Sequence, residues 1–200
     1  MKKFAFLLLL VSFTMQAKFY TATVHFADGT SKSGFAEAPG HKDSTLKFRA
    51  SKDGDTEKIE SSLINTVDIT FDDKKTETFF CVYPAVQTKK GPKKENKKRW
   101  FGSVYQGKTN FLYISLEGDI AVSTPGMYYY LNTAGDDYAV SFLFELYGNQ
   151  KVVGEEKMYK RMIEAHFPDR CPVLVEKSQS GEFKTKDINE VIAFFKKNCE

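Results

Sequence analysis

"TETFFCVYPAVQTKKGPKKENKKRWFGSVYQG", residues 76–107, decides how this chain is read. Two segments rich in aromatic and β-branched residues, "TETFFCVYPAV" and "RWFGSVYQG", flank a run with seven basic residues between Lys89 and Arg99. Segments of that composition bounded by turn formers are strands. The basic run then joins two strands. Gly91-Pro92 and the dense like charge both oppose regular structure, so the run reads as a long, mobile, solvated hairpin connection. Trp100 and Phe101 belong to the returning strand and are expected in the body rather than as stacking platforms. The same run is also the chain's candidate polyanion-binding patch, through Lys89, Lys90, Lys93, Lys94, Lys97, Lys98 and Arg99.

Outward from this stretch the pattern repeats. "FYTATVHF" alternates, with Tyr20, Ala22, Val24 and Phe26 on one face and His25 on the other. "ADGT" supplies an Asp28-Gly29 turn, and "SKSGFAEA" returns, with Gly34 a candidate bulge. "STLKFRAS" and "TEKIES" flank "KDGD", and "INTVDITF" leads through "DDKK" into Thr76. "TNFLYISLE", "DIAVS", "MYYYLN" and "DDYAVSFLFELYG" complete about ten strand candidates, with Pro125-Gly126 suited to a type II turn. Past Gly154 the period changes. Met158, Tyr159, Met162, Ile163 and Phe167 are spaced for a helix. "CPVLVEKSQSG" has Pro172 at a helix start and Gly181 past its end. "TKDINEVIAFFKKNC" makes Thr185 a candidate N-cap with Ile188, Val191, Ile192 and Phe195 on one face. The expected fold is α+β, an antiparallel β-sheet, sandwich or partly open barrel with a C-terminal helical cap. Residues 18–153 form the β-rich body and 154–200 the cap.

The start, "MKKFAFLLLLVSFTMQAKFY", has the order of a secretory signal: Lys2 and Lys3, an apolar run from Phe4 to Thr14 too short to span a bilayer, then the small Ala17. Residues 1–17 are expected to be removed, leaving an exported chain from Lys18 in the periplasm, on the outer surface or in the medium. No later segment reads as a membrane-spanning helix. The whole chain carries +3. Losing Lys2 and Lys3 leaves +1, and the Lys89–Arg99 run, with its seven bases and Glu95, holds +6 of it. The rest of the exported chain therefore sums to −5. A mildly acidic body with one basic protrusion is not shaped as a nucleic-acid surface. The sequence names no partner, and the basic run suits an acidic polymer or an anionic surface.

Export permits disulfides. Of Cys81, Cys171 and Cys199, the last two fall at the start of the second helix and the end of the third. An antiparallel pair of those helices puts them side by side, and a bond closing that loop is worth roughly 3 kcal/mol in the chain-entropy model. Cys81, in "FFCVY", reads as a small buried hydrophobe.

"ADGTSKSGF", the strand-rich middle and "CPVLVEK…DINEVIAFF" together resemble a group of uncharacterised secreted β-rich proteins of Bacteroidetes-type bacteria. The resemblance spans most of the exported chain. It implies a secreted β-rich protein and carries over no catalytic residue.

Motifs for chemistry are thin. There is no G-x-S-x-G elbow, and Ser44-Thr45-Leu46-Lys47 matches S-x-x-K in a strand rather than at a helix start. His25, His41 and His166 are isolated, His166 as a packing residue, so no metal or other cofactor is expected. "KDGDTEK" lacks the ligands of a calcium loop. Tyr128, Tyr129 and Tyr130 suit cross-strand packing or a ligand platform. The reading is a secreted or periplasmic non-catalytic binding or structural domain. The alternatives are a hydrolase of an extracellular polymer acting through carboxylates that spacing does not identify, and a polyanion-binding module acting through the basic run. A membrane-spanning β-barrel is disfavoured by the helical C-terminus and the short strands.

Overall fold

A computed structural model describes residues 18–116, 126–146 and 154–200. The expected signal segment, the strand expected over 119–123, Pro125 of its turn and the body-to-cap boundary at 153 lie outside the described residues. The strands are β1 (Tyr20–Phe26), β2 (Ser31–Ala36), β3 (Thr45–Arg49), β4 (Glu57–Glu60), β5 (Ile64–Thr70), β6 (Thr76–Thr88), β7 (Gly91–Lys94), β8 (Arg99–Tyr105), β9 (Thr109–Leu116), β10 (Gly126–Thr133) and β11 (Tyr138–Leu146). Helices α1 (Glu155–His166), α2 (Pro172–Ser180) and α3 (Ile188–Asn198) follow.

One strand organises the rest. β6 runs for 13 residues and pairs with β5, β7, β8 and β11. β6, β8, β9, β10 and β11 each pair with the next, and β11 returns to β6. In a meander of five strands the first and last point the same way. The closing pair is therefore parallel, with Tyr138 opposite Tyr83, Ala139 opposite Pro84 and Val140 opposite Ala85. The barrel is closed, where the sequence offered a sheet, a sandwich or a partly open barrel, and closure rests on these three pairs. Outside it, β5, β1, β2, β3 and β4 extend from the N-terminal half of β6 as an open antiparallel sheet.

The edges of β6 change hands along its length. Phe79 faces Val67 of β5 on one edge and Gly102 of β8 on the other. Ala85 faces Val140 of β11 and Lys94 of β7. β7 leads directly into β8, so those two share one edge, and β5 and β11 share the other. The pairing with β5 ends at Phe80 and the pairing with β11 begins at Tyr83. Across Cys81 and Val82 that edge splits.

Strand alternation feeds three clusters from the same strands. Cys81 and Trp100, opposite each other, join Val24, Phe48, Val67 and Ile69 under the open sheet. Their neighbours Val82 and Phe101 turn into the barrel with Leu112, Ile114 and Ala139. The outer face of β9–β11, through Phe111, Tyr129, Leu131 and Phe142, meets Tyr159, Ile163, Phe167, Leu174, Val191 and Phe195 of the helical cap. The Trp100 indole N–H donates to Ser61 Oγ at 3.0 Å and to the Asp43 carbonyl at 3.2 Å, which satisfies its polar atom inside the cluster.

Three local expectations are revised. Gly34 is no bulge, because β1 and β2 pair there without a break. A Cβ on Gly34 would meet the Phe48 ring at 2.5 Å and the Arg49 carbonyl at 2.3 Å, so the position is empty to admit Phe48. Thr185 does not cap α3. Asp187 does, its Oδ1 accepting from Asn189 N at 2.8 Å, while Thr185 Oγ1 accepts from Asp187 N at 2.9 Å. The basic run is not irregular either, since its first half is β7, in register with the end of β6. Gly91, at φ 105°, takes the left-handed place that closes the turn over Lys89-Lys90. Glu95 N donates to the Pro84 carbonyl at 2.7 Å, so alternate N–H groups of β7 point to β6. Pro92 falls on the other set, at the free edge, where a missing N–H costs no ladder bond.

Cys171 and Cys199 stand at disulfide distance, Cα atoms 5.4 Å apart across 28 residues of sequence. Replacing both with Ala should remove about 3–4 kcal/mol of unfolded-state restraint and lower Tm by roughly 6–14 °C, read by calorimetry. His166 is 7 % exposed, with its ring edge-on to Phe142 at 5.6 Å. Burial first, and then the Arg170 charge, hold its pKa below the ordinary 6.5. The unfolded chain then binds a proton at a pH where the folded one does not. This contribution is complete above the unfolded value and is lost as pH falls through 6.5 toward the lower folded value. His41, depressed by burial and then by Lys42 and Arg99, adds in the same direction. Tm should fall between about pH 7.5 and about pH 5, and His166→Phe should shrink that fall.

Candidate functional site

The split in the β6 edge is also where a cleft of about 670 Å³ opens. β5 begins on one side of it, with Asn65 and Thr66, and the turn before β11, residues 134–137, stands on the other. Phe80, Cys81 and Val82 line it between them. The cleft is thus a product of topology: two strands start beside one another and leave in opposite directions, as at the crevices where open sheets bind ligands.

The polar wall comes from strand register. On the face of the open sheet away from its core, Asp68 lies opposite Thr23 on β1 and Thr78 on β6, and His25 lies opposite Thr66. His25 Nε2 is 2.9 Å from Asp68 Oδ2, and Thr78 Oγ1 donates to Asp68 Oδ1 at 2.6 Å. Both Asp68 oxygens are engaged, and His25 Nδ1 makes no hydrogen bond to a described residue. Asn65 and Thr66 add an amide and a hydroxyl with no side-chain hydrogen bond to a described residue.

The opposite wall is fastened by two buried amides. Asn110 and Asn132 face each other across β9 and β10, and Asn110 Nδ2 donates to Asn132 Oδ1 at 2.8 Å. Asn132 Nδ2 donates to the carbonyls of Asp136 and Tyr138 at 3.0 and 2.7 Å, which holds the turn before β11. Asn110 Oδ1 accepts from Gly107 N at 3.2 Å, which holds the turn before β9. The pair shapes the cleft and is itself nearly saturated with partners.

The seven bases of the Lys89–Arg99 run do not form one patch. Lys94 ion-pairs with Asp137 and lies 4.7 Å over the Tyr138 ring. Lys98 turns back to the cleft, donating to the Ser62 and Ile64 carbonyls at 3.4 and 3.3 Å. Arg99 stands 4.0 Å from Glu95. Lys89, Lys90, Lys93 and Lys97 remain exposed. Cys81 Sγ donates to the Ser61 carbonyl at 3.2 Å, and burial pushes its thiol up to about 12 against the pull of Lys98. A thiol so placed is not a nucleophile at neutral pH. His41 and His166 lie elsewhere, and among the described residues no three His, Cys, Asp or Glu side chains are placed to hold a metal ion.

Sequence reasoning placed His25 on a polar face and stopped there. Asp68, Thr78, Asn110 and Asn132 carry no local signature. Their meeting depends on register between strands up to 43 residues apart, as for His25 and Asp68.

No known protein family, curated protein or solved structure matches this chain.

Asn132→Ala should leave the Asp136 and Tyr138 carbonyls and the Asn110 amide without partners. A loss of about 2–3 kcal/mol in denaturant unfolding is expected, against near-neutrality for Asn65→Ala on the open side of the cleft.

Proposed function

We propose that the protein is an exported binding domain, without catalysis, that takes a saccharide in the cleft at the β6 edge. The observation that carries this reading is the convergence, where β6 changes partners, of unspent donors and acceptors: His25 Nδ1, the Asn65 amide and the Thr66 hydroxyl. A sugar ring presents adjacent hydroxyls that both donate and accept, and an apolar C–H face. Amide, hydroxyl and imidazole groups match the first, and the partly buried Phe80 ring in the same cleft matches the second. Walls held by strand pairing and by the Asn110–Asn132 pair are already in place, which lowers the ordering cost of binding.

The hydrolase alternative has less support. Asp68 is held by His25 and Thr78, and Asp137 by Lys94. The Cys81 thiol is buried and protonated. Export is favoured by the leader-like start and by two cysteines at disulfide distance, which suits an oxidising compartment.

Isothermal titration of the chain from Lys18 with a panel of neutral mono- and oligosaccharides tests the reading. At least one is expected to bind, to be weakened about tenfold or more by His25→Ala and by Asn65→Ala with Tm unchanged, and to be recovered intact. No binding across the panel, or binding indifferent to both substitutions, overturns it. Recovery of a cleaved sugar would instead establish the hydrolase.

A further inference from the structure

The basic run gains a different meaning once β7 is seen as a strand. β6 and β7 continue past the barrel as a two-stranded ribbon, and the turn at its tip is Lys89-Lys90. Residues directly opposite on antiparallel strands share a face. Val86 is opposite Lys93, while Ala85 and Lys94 make the other face. That second face is committed to the body: Ala85 is buried, and Lys94 holds Asp137 and covers Tyr138. The first face is open. Val86 is 61 % exposed, among the largest exposures of any apolar side chain described. Lys89, Lys90, Lys93 and Lys97 form no ion pair with a described residue.

We propose that the outer face and tip of the β6–β7 ribbon are a docking arm for an anionic lipid surface, with Lys89, Lys90 and Lys93 of the ribbon, and Lys97 of the segment that leads from β7 into β8, meeting the headgroups and Val86 entering among them. Charge complementarity selects an anionic partner. The chain from Lys18 outside the Lys89–Arg99 run sums to −5, so an anionic surface repels the body and draws in the ribbon end first. The exposed Val86 selects a lipid surface over a soluble acidic polymer. Lysines flanking an apolar residue suit the boundary between headgroups and acyl chains, whereas a polymer offers Val86 nothing to enter. The arm is also ordered in advance. Lys94 clamps it to Asp137, and Gly91 sets its turn, so little freedom remains to be lost on docking. Val82, the last β6 residue lining the cleft, precedes Thr88 by six positions, or ~20 Å at the rise of a strand. Docking by the tip therefore leaves the cleft open to solvent. This inference does not depend on what the cleft binds.

Co-sedimentation of the chain from Lys18 with vesicles tests it. Vesicles of phosphatidylcholine with roughly a third phosphatidylglycerol should bind the protein at low salt and release most of it at high salt, and pure phosphatidylcholine vesicles should not bind it. Replacing Lys89, Lys90, Lys93 and Lys97 with Ser should lower the partition coefficient about a hundredfold or more with Tm unchanged. Replacing all four with Arg should keep it within about twofold. Val86→Ser should lower it severalfold at every salt concentration. Equal binding to both kinds of vesicle, binding that survives the Ser quadruple, or loss of binding in the Arg quadruple overturns the proposal. So does retention on dextran sulfate without binding to the anionic vesicles, which would assign the lysines to a polymer.

Discussion

Everything in this molecule hangs on β6 having two edges and changing the partner on each. Its N-terminal half holds the open sheet through β5. Its C-terminal half closes the barrel through β11 and carries the ribbon through β7. Backbone hydrogen bonding demands that each exposed stretch of edge be paired or solvated. β5 and β11, of opposite direction, divide one edge between them, and the cleft is the seam. The parallel contact with β11 follows from an odd number of strands in a meander, so barrel closure and cleft share one origin. Alternation along β6 and β8 does the remaining work. Cys81 and Trp100 fill the space under the open sheet, and Val82 and Phe101 fill the barrel. A shift of one residue in the β6–β8 register would turn both cores inside out.

Polar groups on this frame sort by whether their bonds are already made. Asn110, Asn132, Asp68 and Lys94 are tied to protein partners and act as fasteners. His25 Nδ1, Asn65 and Thr66 in the cleft, and four lysines on the ribbon and just beyond it, keep capacity to spare. The two sets of spare groups differ in chemistry, neutral and hydrogen-bonding in the cleft, cationic on the arm, and they lie at different places along the same strand.

Much of this was legible residue by residue. Period-two alternation in "FYTATVHF", the strand composition of "INTVDITF", the Asp28-Gly29 turn and the "KDGD" turn, and helical spacing after Gly154 all reflect local rules. The elements they predict are present at β1, β5 and α1 to α3. The reading failed where a local rule met a tertiary one. Gly91-Pro92 suggested loop because neither favours a ladder, yet Gly91 makes the turn and Pro92 sits on the free edge. Gly34 suggested a bulge, yet it is the gap that Phe48 fills from a neighbouring strand. Thr185 lost the cap to Asp187 because either residue type serves, and the choice fell to where the chain leaves the Thr185 hydroxyl bond.

The sequence by itself determined which segments are strands and helices, which of their faces are apolar, and that the net positive charge of the chain from Lys18 is concentrated between Lys89 and Arg99. Those properties depend on neighbours within a turn or a strand, and such neighbours are written in order. Only the tertiary structure decided that β11 returns to β6, that β5 and β11 part at Cys81, and that His25 meets Asp68. It also decided which bases of the run are spent on Asp137, Glu95 and the carbonyls of residues 62 and 64. These outcomes rest on pairing between strands far apart in the chain. A strand's residues state what faces it must bury, but not which other strand will bury them.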